Sequence, residues 1–118
     1  MKAIGLGQIA INANEADLLV WNVPNEVING FRLDDFEGII GASETDVKVM
    51  FNELRQSADG VVLHGSQVRI ACNALQAVIN ELGVDEFQIR TGHDLEEGLN
   101  ILRDMNRFLS EFAEEAKS

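Results

Sequence analysis

Residues 9–55 align with residues 60–106 at one constant shift of 51, without a gap. Asn22, Val27, Ile28 and Asn29 land on Asn73, Val78, Ile79 and Asn80, while Asp34, Phe36 and Gly41 land on Asp85, Phe87 and Gly92. Conservative pairs fill the gaps: Leu19 with Ile70, Leu33 with Val84, Ser43 with Asp94, Asp46 with Glu97 and Leu54 with Met105. Self-similarity at a fixed period constrains architecture more tightly than local propensity does. Each half of this 118-residue chain is near the lower size limit for folding alone. The halves are therefore expected to share one core within a single domain, 1–118.

Each copy reads as a strand followed by helices. Residues 8–12 alternate apolar with polar, a short strand signal, and residues 60–64 are more clearly β-like. Paired with each other across a pseudo-twofold axis, these edges would build a sheet that neither copy makes alone. In the second copy Ser66 is a candidate N-cap. Val68, Ala71, Cys72, Leu75, Val78, Ile79 and Leu82 then follow at helical spacing until Gly83 stops the run. The equivalent stretch of the first copy, from about Glu15 to Asn29, ends at Gly30 but contains Pro24. A kink or break near residues 20–23 is expected there, because proline lacks the amide proton and crowds the carbonyl four residues back.

A short connector anchored by Phe36 or Phe87 comes next in each copy, then Gly41 or Gly92 at a position suited to positive φ. Ser43 and Asp94 stand where a final helix would be capped, with Asp46 and Glu97 three residues on. Val47, Met50, Phe51 and Leu54 supply the buried stripe of that helix in the first copy, and Leu95, Leu99, Leu102 and Leu109 contribute to it in the second. The fold class expected is α+β: a helix-rich domain of two tandem β-α-α units related by a pseudo-twofold axis, with a small antiparallel sheet. Residues 107–118 extend the last helix beyond the repeat. Ile101, Met105, Phe108 and Phe112 in that helix suit either capping of the shared core or contact with a second copy in a homodimer, and aromatics at helical spacing favour capping.

Twenty acids against nine bases give a net charge of −11, and the bases form no cluster. A field of this sign repels a phosphate backbone, so nucleic acid is not the expected partner, whereas a basic protein surface fits it. No apolar run approaches the roughly 20 residues of a membrane helix, and the start lacks a secretory signal pattern. The single cysteine, Cys72, reads as a reduced core thiol, consistent with a cytoplasmic location.

Catalytic chemistry is sparse. The histidines are His64 and His93, tyrosine is absent, and no zinc-ligand spacing occurs. Gly5-Leu6-Gly7 precedes the first expected strand instead of joining a strand to a helix, and the acid runs lack the order of a calcium loop. No catalytic residue, metal set or cofactor is expected; an enzyme would require His64 or His93 to meet an acid across the fold in a pocket. Candidate binding residues are Asn22 and Asn73, duplicated carboxamides among apolar neighbours; Arg90, whose counterpart is Ile39; and the aromatic anchors Trp21 and Phe112. For the two asparagines a structural role is favoured, bonding the connector backbone of their own copy or each other. Arg90 is expected to pair with Asp85, Glu86 or Asp94, or to hold a partner's carboxylate.

The segment Asn22-Val23-Pro24-Asn25-Glu26-Val27 resembles small, mostly bacterial proteins of unknown function that carry an Asn-Ala-Leu-Asn-Glu-Val-type helix and then a Glu-Phe-x-x-Arg-x-Gly-x-x-x-Glu-Glu segment. The second copy is similar through Asn73-Ala74-Leu75, then Glu86-Phe87 with Arg90 and Gly92, then Glu96-Glu97. By this resemblance Asn73, Phe87, Arg90 and Gly92 are pattern positions, and some such proteins look similar to immunity-type neighbours of toxins. The first copy departs from the pattern, with Ile39 at the arginine place and Pro24 at the leucine place. The function expected is a non-enzymatic, acidic, cytoplasmic interaction module, immunity-type in character, that covers a basic partner. The alternative is a small-ligand module in the cleft between the copies, where Asn22, Asn73 and Arg90 would converge.

Overall fold

The structure, a computed structural model, describes the backbone of residues 1–5, 7–57 and 60–117, and side chains among these as far as Glu111. Its three strands, β1 (Lys2–Gly5), β2 (Gln8–Ile11) and β3 (Val61–His64), form an antiparallel sheet in the order β1-β2-β3. The expected pairing between the copies is present, with Ile9 opposite Leu63 and Ile11 opposite Val61. These four side chains are buried, while Val62 and His64 face outward, as the two-residue pleat requires. Strand β1 was not foreseen. It makes Gly5 and Gly7 part of a hairpin connection, with Gly7 at φ +70°, and its residues are all exposed. Leu6 lies outside the described residues.

Helix α1 covers residues 13–30 and opens with a reciprocal cap: Asn12 Oδ1 accepts from the Glu15 amide at 2.8 Å, and Glu15 Oε1 accepts from the Asn12 amide at 2.9 Å. Pro24 does not break it. Instead Asp17–Asn22 and Glu26–Gly30 are wound as wider π turns around a short α turn at Val23–Asn25. The widening accommodates a proline that cannot donate to the Val20 carbonyl, so the expected kink is replaced by a change of pitch. Leu18, Leu19, Val20, Val23 and Val27 remain buried through it.

Helices α2 (Phe36–Ile40) and α3 (Glu44–Leu54) follow, the second capped by Ser43, whose hydroxyl accepts from the Asp46 amide at 3.1 Å. Helix α4 (Gly65–Thr91) begins at His64 instead of the expected Ser66, because Gln67 Oε1 accepts the His64 amide at 2.9 Å and starts the turn two residues earlier. Gly83 interrupts α4 with φ +71° and ψ −171°, dividing it where the sequence places a stop. Helix α5 (Leu95–Lys117) is capped by Asp94, whose Oδ1 accepts from the Glu97 amide at 2.7 Å. Gly41 and Gly92 both end their helices in the left-handed region, at φ +97° and +75°.

Buried residues from both halves form one core, and the radius of gyration of 13.6 Å is that of one compact body of this length. Fully buried Phe87 lies on Gly98 of α5 so closely that a Cβ there would be 2.8 Å from its ring. Ile101, Leu102, Met105 and Phe108 of α5 are core residues, but Leu99, expected in that stripe, is exposed. Among the described residues no helix is long and apolar enough to cross a membrane.

Candidate functional site

The π turn of α1 that replaces the kink also presents Trp21, which is 52% exposed. Arg55, just past α3, lies with its guanidinium carbon 5.0 Å from the centre of the indole ring, a cation–π distance. Its Nε donates to the Val20 carbonyl at 3.0 Å. That carbonyl is the one Pro24 cannot serve in an α register, so the missing amide proton is replaced by an arginine. Trp21, Val20, Leu54 and Arg55 line an open groove of about 570 Å³, together with the polar residues Asn12, Asp17 and Ser57.

Beside the groove sits His93, 5% exposed. Its Nε2 lies 2.8 Å from Asp17 Oδ2 and its Nδ1 lies 3.0 Å from Glu97 Oε1. Only the imidazolium places a proton on both nitrogens, so this geometry is that of a cation held between two carboxylates. Burial alone lowers the His93 pKa, but the hydrogen bonds to Asp17 and Glu97 and their charges outweigh it, and the net direction is upward. The ring is set by its backbone: after left-handed Gly92, the His93 amide donates to Thr91 Oγ1 at 3.2 Å, and that hydroxyl donates to the Phe87 carbonyl at 2.6 Å. Both carboxylates are further ordered by carboxamides, Asn22 donating to Asp17 Oδ2 at 2.9 Å and Asn14 donating to Glu97 Oε1.

Past His93 a shallow depression of about 380 Å³ is lined by five acids, Glu15, Asp94, Glu96, Glu97 and Asp104, and by Asn12, Asn14 and Asn100. No lysine or arginine is among its described lining residues. Asn12 borders both this depression and the Trp21 groove. No group of three His, Cys, Asp or Glu side chains among the described residues is spaced to hold a metal ion.

The five residues singled out from the sequence go to separate places. Trp21 is in the groove. Asn22 turns back to the Asp17 carbonyl and carboxylate, and Asn73 donates to the Ile40 carbonyl at 3.0 Å, so each has a backbone partner, but Asn73 finds its partner in the other half of the chain. Arg90 pairs with none of the three acids expected of it: its Nη2 is 2.6 Å from Glu26 Oε2 and donates to the Gly30 carbonyl at 3.1 Å. Asn22, Asn73 and Arg90 thus do not converge, and the side chain of Phe112 lies outside the described residues.

His93 does meet an acid across the fold, and both its nitrogens lie within hydrogen-bond distance of a carboxylate. Of the nearby hydroxyls, that of Thr91 is spent on the Phe87 carbonyl. Sequence reasoning missed Arg55 and Asp17. The available signal for Arg55 was Pro24 itself, which orphans one carbonyl; nothing local marks Asp17, which lies 76 residues from His93. Comparison with protein-family models, curated proteins and solved structures gives no match to this chain.

Proposed function

We propose that the chain is a non-enzymatic, acidic interaction module of the cytoplasm that covers a basic surface on another protein, in the manner of an immunity-type inhibitor. The observation that carries this reading is the five-acid depression that shares Asn12 with the Trp21 groove. An exposed indole held by a stacked arginine is a low-entropy apolar anchor, and a depression of one charge sign steers a cationic partner toward it. The architecture we propose for it is a tandem duplication with pseudo-twofold symmetry. Supporting this are the matching left-handed caps at Gly41 and Gly92, the matching cap bonds at Ser43 and Asp94, and a repeated carboxamide pair, Asn29 with Asn25 and Gln76 with Asn80.

The test is affinity capture from native extract at low and at high salt, with wild type and Trp21→Ala. A basic protein retained at low salt, weakened at high salt and lost with Trp21→Ala is expected; truncation of a central tryptophan costs about 2–4 kcal/mol of binding. Recovery of no basic protein at either salt contradicts the reading. A small-ligand reading draws on the groove volume of about 570 Å³, which suits a small molecule, and a ligand co-purifying in native mass spectrometry would promote it.

A further inference from the structure

Helices α1 and α3 enclose a second depression, of about 430 Å³, whose chemistry opposes that of the rest of the surface. Asn25 and Asn29 line it from α1, Lys48 and Asn52 from α3, and Arg55 borders both it and the Trp21 groove. In a chain with more than twice as many acids as bases, two bases gather here and none of the described lining residues is acidic.

Donors outnumber acceptors in the hydrogen-bonding capacity left over, although the oxygens of Asn29 and Asn52 remain as acceptors. Asn29 Nδ2 donates to Asn25 Oδ1 at 3.1 Å, which occupies the Asn25 oxygen and leaves its amide protons for another acceptor. Arg55 uses Nε on the Val20 carbonyl and one face on Trp21, so its two Nη groups have no partner among the described residues. Lys48 has only a loose, half-exposed pair with Glu44 at 3.6 Å, of a kind that contributes little and that a competing anion displaces. Asn52 has no hydrogen-bond partner among the described residues. Two cations with donor carboxamides, one guanidinium edge already oriented by stacking, match an acceptor bearing two or three oxygens.

We propose that this depression binds a small oxyanion, a carboxylate or a phosphate ester, with Arg55 and Lys48 as charge partners and Asn25 and Asn52 as neutral donors. The site shares Arg55 with the Trp21 groove, but it takes a ligand of the opposite charge to the proposed basic partner and is tested without one. Because Trp21 is the only tryptophan and tyrosine is absent, an anion drawn to Arg55 reports itself in Trp21 emission.

The experiment titrates the full chain with sodium phosphate and, separately, with sodium acetate, holding ionic strength constant with chloride. Trp21 fluorescence and amide chemical shifts are followed. A saturable change with shifts at Asn25, Lys48 and Asn52 is expected for at least one anion: phosphate alone points to a phosphate ester, and acetate binding to a carboxylate. The combined variant Lys48→Gln, Asn52→Asp alters two exposed positions, and circular dichroism checks that it stays folded. It should weaken binding by at least about tenfold, the equivalent of one charge-assisted hydrogen bond. No saturable change beyond the chloride control with either anion overturns the proposal, as does undiminished affinity in the variant.

Discussion

At the scale of single residues the molecule rests on a few charges whose partners lie far away in sequence. Glu26 is buried, and its Oε2, without an aligned hydrogen bond of its own, is balanced by the Arg90 charge at 2.6 Å. Both lie against Gly30, where a Cβ would sit 2.1 Å from Glu26 Oε2 and 2.6 Å from Arg90 Nη2. Arg90→Met strands that carboxylate and is predicted to cost about 3 kcal/mol, the low end for a broken buried pair because Arg90 remains a third exposed. Gly30→Ala disrupts the same pair, so the two substitutions combined should cost less than their sum in chemical denaturation; strict additivity would show that Gly30 acts elsewhere.

His93 gives a pH signature. Its folded pKa is raised above the ordinary 6.5, so the clamp's contribution is fully present below that pH and fades as pH rises through the folded value. The stability difference between wild type and His93→Gln should therefore be largest below about pH 6.5 and shrink above it. A difference independent of pH would remove the imidazolium from the account. These residues were visible in the sequence as a histidine, an arginine and acids, but their pairing was not. Arg90 reaches Gly30 across 60 residues, and only three-dimensional closure brings such groups together.

At the scale of elements, legibility followed local physics. The capping residues Ser43 and Asp94, the left-handed glycines and the break at Gly83 act through bonds or torsions within a few residues, and each stands where the spacing put it. The failures share a different cause. Pro24 has two remedies, a break or a wider pitch; the chain takes π turns, and the Val20 carbonyl accepts from Arg55 beyond α3. Leu99 follows the apolar spacing of α5, yet it is left 46% exposed while Leu102 of the same stripe is buried. Gly98, which carried no signal of its own, is where Phe87 meets α5. Gly98→Ala should cost about 1–3 kcal/mol by overpacking, despite the better helix propensity of alanine, and a thermal melt at or above wild type would contradict the contact.

For the whole molecule, side-chain cross-links tie the first half to the second, among them Glu26 to Arg90, Asp17 to His93, and the Ile40 carbonyl to Asn73. The expectation of a shared core came from length and period alone, and one contiguous core is what the buried residues form. Function was less legible, because net charge names a sign and not a place. Acidity spread evenly would serve solubility only; acidity gathered in a depression beside an exposed indole is the feature on which the proposed partner-covering role rests. Amide chemical-shift mapping with a lysine-rich peptide tests this distinction most directly. The account predicts salt-sensitive shifts concentrated at Asp17, Trp21, Glu96, Glu97 and Asp104. Shifts distributed over every acidic segment, or centred on the exposed Val84 and Ile89 of α4, would contradict it.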